Sequence, residues 1–127
     1  GDLRFTDSNG NLDYWLEEGC NSTNTRVWVR VMDVPTGTSQ IAMTYGMPSR
    51  ASASDGRHTF TFFDDFAAGV LNTNYWWVNS GAGFSVGENP GAMRIAGATT
   101  SANQFNVFGF GLDTSTFALP ASFALDV

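Results

Sequence analysis

The residues that could act together chemically are few. They are two adjacent carboxylates, Asp64 and Asp65, a second adjacent pair, Glu17 and Glu18, one histidine, His58, and one cysteine, Cys20. Glycoside hydrolysis needs two carboxylates facing each other across the bond to be broken. Neighbours on a strand point to opposite faces, so Glu17 and Glu18 cannot make that pair. The remaining glutamate, Glu88, has no acidic neighbour at a useful spacing. A lone His58 ahead of a strand reads as a surface or loop residue, and histidine or thiolate metal spacings do not occur. Cys20 has no partner for an internal disulfide and reads as a small buried or half-buried apolar side chain. No catalytic residue is assigned, and the chain reads as a non-enzyme.

Binding chemistry has more to work with. Asp7, Asn9, Asn11, Asp13 and Glu18 fall at the oxygen-donor places of an EF-hand-like loop, but Leu12 stands where that loop needs glycine. A hairpin turn accounts for the same residues. Asp64 and Asp65, side by side, repel unless backbone N–H groups, an arginine or a cation compensates. Trp76 and Trp77 are also adjacent, so one can pack inward while the other stays outside. An exposed indole face can stack on a sugar ring, whereas packing under a neighbouring loop is the plainer use of the same residue. Asn21-Ser22-Thr23 is a glycosylation triplet of a kind frequent by chance in such sequences.

Composition narrows the partners. The 127 residues are 43% apolar and 14% aromatic, which places the chain among folded globular proteins. Its formal net charge is -6 and its six cations are all arginine. A basic footprint for nucleic acid is absent, and no apolar run approaches the roughly 20 residues of a membrane-spanning helix. Lysine, a common guard of exposed strand edges, is not used. There is no initiator methionine, and Ser122–Val127 reads as a strand interrupted in mid-course, so the chain is expected to be a piece of something longer.

The elements that must position these residues are strands. Apolar residues alternate with period two between Gly, Asn, Ser and Pro punctuation, and helical periodicity is missing. Strands are expected at Asp2–Thr6, Tyr14–Glu18 and Arg26–Asp33, with Asn9-Gly10 turning the first back. In the third, Val27, Val29 and Val31 share a buried face opposite Arg26, Trp28, Arg30 and Met32. Ile41, Met43 and Tyr45 are expected to line the inner face of the next strand. A loop or one helical turn follows over Ser49–Gly56, and Phe60–Phe66 reads as an aromatic strand ending at Asp64-Asp65. Shorter segments follow at 75–78, 84–86, 93–96, 105–110 and 122–127. The fold class is all-β, an antiparallel β-sandwich.

Certain residues are familiar as a series. Asp2-Leu3-Arg4-Phe5-Thr6-Asp7, Tyr14-Trp15-Leu16-Glu17, Val27-Trp28-Val29-Arg30-Val31, Met43-Thr44-Tyr45-Gly46 and Phe62-Phe63-Asp64-Asp65-Phe66 together resemble an uncharacterised β-sandwich family. That family occurs in large secreted and surface proteins of archaea and bacteria and in some viruses. The resemblance covers residues 1–66. Residues 64–127 resemble the opening of a concanavalin-A-like (laminin-G-like) jelly-roll, which often follows that module. The resemblance implies strands ahead of Asp2 and after Val127, and domains at 1–63 and 64–127. It also implies a calcium ion near the first jelly-roll strand, where Asp64 and Asp65 are the candidate ligands.

These readings point to a non-catalytic extracellular or cell-surface module for adhesion or carbohydrate binding, with Trp76 and Trp77 as candidate glycan-stacking residues. A structural subunit of a filament, sheath or virion, assembled by strand addition, is the alternative. An accessory module of a larger secreted enzyme is a third. Expected partners are other copies or other segments of the same assembly and a glycan.

Overall fold

The computed structural model describes residues 1–20, 22–79, 83–98 and 109–112. The chain divides into two compact units, Gly1–Asp64 and Asp65–Val127. Both are built from antiparallel strands, with one short helical turn among the described residues, so the protein is all-β.

In the first unit, β1 (Arg4–Asp7) turns into β2 (Gly10–Leu12) through Ser8 and Asn9. The Asp7 carboxylate closes this turn. Its Oδ1 accepts the N–H of Asn9 at 2.7 Å and that of Gly10 at 3.1 Å, the arrangement that makes Asp a turn former. Gly10 has φ 130, a conformation other residues rarely adopt. The hairpin therefore uses the residues that resembled a calcium loop, and Glu18 lies away on β3 (Tyr14–Glu18). That strand pairs antiparallel with β4 (Arg26–Val29), and β1 also pairs with β5 (Ala42–Thr44), giving the sheet order β2-β1-β5.

The core sits where β1 meets β3. Phe5 and Tyr14 are its buried apolar residues, their rings edge-to-face at 5.2 Å. The strand expected to run to Asp33 ends at Val29, and its inner row is half-buried where a buried face was expected. Val27, Val29 and Val31 are half-buried, whereas Arg26, Trp28 and Met32 are exposed. Arg30 is the exception on that row: it is half-buried and its Nη1 donates to the His58 carbonyl at 2.9 Å.

Two expectations are corrected here. Ile41, Met43 and Tyr45 are 47%, 52% and 72% exposed. Met43 pairs opposite Phe5 and so lies on the core side of the sheet, but the layer that covers Phe5 does not extend over β5. Phe60–Phe66 is not a strand either. Asp55 caps a helical turn, α1 (Gly56–Thr59), by accepting the N–H groups of Arg57 and His58. The chain then bends, which sets Phe60 and Phe63 in a stacked pair at 5.8 Å instead of on alternate strand faces.

The second unit contains β6 (Trp76–Asn79) paired with β9 (Gly109–Leu112), and a hairpin of β7 (Phe84–Asn89) with β8 (Ala92–Gly97). Pro90 and Gly91, with φ 80 at Gly91, turn β7 into β8. Among the expected late strands, 105–108 and 122–127 lie outside the described residues, as does Asn21 of the glycosylation triplet. No helix among the described residues is long and apolar enough to cross a membrane.

Candidate functional site

The tryptophan pair is positioned by a polar turn. Asn72 gathers the chain ahead of β6: its carbonyl accepts the N–H of Tyr75 at 2.9 Å and of Trp76 at 3.0 Å, and its side-chain Oδ1 accepts the N–H of Asn74 at 3.1 Å. The strand that starts there sends Trp76 and Trp77 to opposite faces. Trp76 is half-buried, its ring 5.7 Å from that of Phe66. Phe66 itself has φ 51, in the left-handed region that side-chain-bearing residues seldom occupy, and its carbonyl accepts the N–H of Gly91 at 3.2 Å. Trp77 is 48% exposed and Val78 beside it is also exposed.

Asp64 and Asp65 stand at the boundary between the two units. Asp64 is half-buried; Asp65 is exposed, and its Oδ1 accepts the N–H of Ala67 at 3.2 Å. That bond offsets some of the repulsion between the two carboxylates and is a turn-forming use of Asp65. Among the described residues, no group of three or more His, Cys, Asp and Glu side chains comes together to hold a metal ion. Hard oxygen ligands suit calcium.

The other candidates are committed to local structure. His58 is exposed on α1, its Nδ1 2.9 Å from Asp55 Oδ2. The neighbouring hydroxyl, Ser54 Oγ, accepts the Leu16 N–H at 2.8 Å and so ties this segment to β3. Backbone hydrogen bonding from His58 holds the Asp55 carboxyl below its ordinary value, with the His58 ring adding to the effect. The Met47 N–H does the same for Asp2. Cys20 is exposed, contrary to the buried reading, because it follows β3 on the loop to β4 and not within a strand. It borders an open concavity of about 610 Å³ with Leu3, Met43 and Tyr45.

One cluster was not anticipated from the sequence. Trp15 and Trp28 are cross-strand partners. The Phe60 ring lies 5.9 Å from Trp15 and 5.7 Å from Trp28, and Phe63 lies 4.8 Å from Trp15. Glu17, on the same face, accepts the Trp28 Nε1–H at 2.8 Å and pairs with Arg26 at 3.1 Å. Glu17 sits at an irregularity of the β3–β4 register, where Arg26 pairs with Glu18, and only the Trp15/Trp28 pairing was readable from period two. The bend that brings in the phenylalanines was not.

Comparison with known proteins gives one result. A family model described as "Domain of unknown function (DUF2341)" matches residues 1–79. The matched span runs through the Asp64/Asp65 boundary and ends on the last residue of β6. Neither the curated proteins nor the solved structures give a match.

Proposed function

The chain belongs to the DUF2341 family, and from that premise we propose that it is a non-catalytic β-sandwich module of an extracellular or cell-surface protein, used for adhesion or carbohydrate binding. In this reading residues 64–127 open a concanavalin-A-like jelly-roll. The observation that carries it is the division of labour on β6: Trp76 packs on Phe66 while Trp77 keeps nearly half its surface outside. An indole anchored on a strand gives a sugar ring a flat apolar partner at little entropic cost. Calcium at Asp64 and Asp65 would add a rigid charge at the start of this unit. The test is binding to a panel of immobilised glycans. Retention by the native chain and loss with Trp77→Ala, but not with Trp28→Ala, supports the reading; native chain that retains nothing removes it.

A second reading is favoured by the edge strand β5. There the module is a repeating subunit of a filament, sheath or virion, joined to its neighbours by strand addition. The exposed Ile41, Met43 and Tyr45 row supports it.

A further inference from the structure

We propose that the Trp77 face of the β6–β9 pair takes a neutral polysaccharide of equatorially substituted pyranoses, a β-glucan type of chain, with one ring flat against the indole. The inference rests on the carbohydrate reading above and names the class of sugar.

The first observation is the tryptophan itself. Of the four tryptophans, Trp15 and Trp28 lie against Phe60, and Trp76 lies against Phe66. The Trp28 Nε1–H is also taken, by Glu17. Among the described residues Trp77 has neither a ring contact nor a hydrogen-bond partner, and it is the most exposed of the four. It therefore offers an apolar plane with a free N–H donor at its edge, the two things a sugar ring can use.

The second is what stands across from it. The register sets Gly111 directly opposite Trp77, and Gly109 opposite Asn79. Opposite residues share a face, and Gly109 is also a diagonal neighbour of Trp77. On this face the described length of β9 thus carries no side chain at all. The other face is Trp76, Val78, Phe110 and Leu112 by register, apolar throughout, so both glycines fall on the Trp77 side. Glycine weakens a strand interior, and its use there marks close approach by a ligand or another backbone. An indole can itself cover a cross-strand glycine, but that occupies one ring face. With 48% of Trp77 exposed, the other face stays outside. From Gly109 to Gly111 is about 7 Å at the usual strand rise, room for one sugar ring beside the indole.

The third is charge. Trp77, Asn79, Gly109 and Gly111 carry none. The second unit has one cation, Arg94 on β8 in the other sheet, against Asp65, Glu88, Asp113 and Asp126. Asp113 follows β9 directly in sequence. A uronate or sulfated sugar would find no cation on this face and a repelling field around it. A neutral pyranose with equatorial substituents keeps its hydroxyls at the ring edge and turns C–H bonds to the indole. A sheet face does not enclose a chain end, so a ring within a polysaccharide is accepted.

The experiment is affinity electrophoresis of the whole chain in hydroxyethylcellulose and in carboxymethylcellulose. The two polymers share one equatorial glucan backbone and differ in charge. The native chain is expected to be slowed by the neutral polymer and not by the anionic one. Trp77→Leu, which keeps an apolar side chain and loses the plane, should weaken retardation roughly tenfold, whereas Trp77→Tyr should keep part of it. Val78→Thr, on the other face, should behave as native. Gly111→Val should abolish retardation by standing a side chain beside the indole, while its unfolding midpoint holds or rises because valine suits a strand better than glycine. Should Gly111→Val fail to fold, the polymer pair and the two Trp77 variants decide the matter. Equal or stronger retardation by the anionic polymer, a folded Gly111→Val chain retarded like the native one, or full retardation of Trp77→Leu would overturn the proposal. Retention of an acidic glycan through Trp77 would overturn it and leave the carbohydrate reading standing; retention of no glycan removes both.

Discussion

The ring of Phe63 occupies the place where a β-carbon on Gly56 would stand: its Cε2 and Cζ lie 2.2 Å from that ideal position. Gly56 is buried at the start of α1, and the same ring meets Trp15 on its other contacts. The absence of a side chain at residue 56 is therefore what lets the bend fold back onto the β3–β4 face.

Gly56→Ala should destabilise the first unit by about 2–3 kcal/mol, the range for forcing an added carbon into a packed site. Ala in place of its neighbour Arg57, which is exposed, should change little. Chemical denaturation of both variants checks this; equal midpoints would show that Phe63 moves aside freely.

Val27→Ala and Val29→Ala should each cost about 1 kcal/mol, because the row is half-buried and not enclosed. Val34→Ala, at an exposed position, should be close to neutral. A reversed order in denaturation midpoints would refute the register.

Glu17, Arg26 and Trp28 allow a double-mutant cycle. The arginine end of the ion pair is exposed, as is its second contact with Glu18 at 3.7 Å, so Arg26→Ala alone should cost less than about 1 kcal/mol. Glu17→Ala should cost more than Arg26→Ala, since it also strips the acceptor from the Trp28 indole N–H. Indole fluorescence should shift in the Glu17 variant and not in the Arg26 variant.

Acid should weaken the first unit through Asp2 and Asp55. Both carboxyls are held low in the folded chain by backbone N–H groups, so the unfolded chain takes up protons first as pH falls. Their contribution is complete above the unfolded carboxylate value of about 3.9 and is lost as pH drops through the lower folded values. Thermal melts from pH 6 downwards, about two pH units and more, should show Tm falling only in the acid range. Asp55→Asn, which keeps a capping oxygen without the charge, should flatten that fall.

Among the described residues, Glu88 on β7 has both carboxylate oxygens buried without a hydrogen-bond partner. An unpaired carboxylate is costly to bury, and an amide less so. Glu88→Gln should leave the unfolding midpoint unchanged or raise it; a clear drop would mean the charge is serving a contact.

Much of this was readable in the residues. Asn9-Gly10 gave the first turn because Gly10 needs positive φ, Tyr14–Glu18 is a strand as expected, and the Val27/Val29 alternation marked the inner side of β4. Alternation also placed Met43 on the side of Phe5. It could not say whether anything lay over Met43, because period two reports which residues share a face and not what covers that face. Phe60–Phe66 misled for another reason: an aromatic run suits a strand by composition, but the Asp55 cap upstream fixes a helical turn and the run bends after it. Cys20 was misplaced because burial statistics for cysteine say little about a residue on a loop. The tryptophan pair was legible as opposed faces, and its anchoring on Phe66 required the fold.

The pairing pattern also orders events in time. The β1–β2 and β3–β4 contacts, like those of β7 and β8, join segments close along the chain, whereas β5 reaches β1 only across both intervening hairpins and the loop before Ile41. Closing that long loop is entropically costly and is rewarded late. Refolding followed by pulsed hydrogen exchange should show β3 and β4 amides protected before those of β5. Within the first unit β5 is then the last strand to dock, so a slow phase there should be set by the closing of that loop and not by the two hairpins.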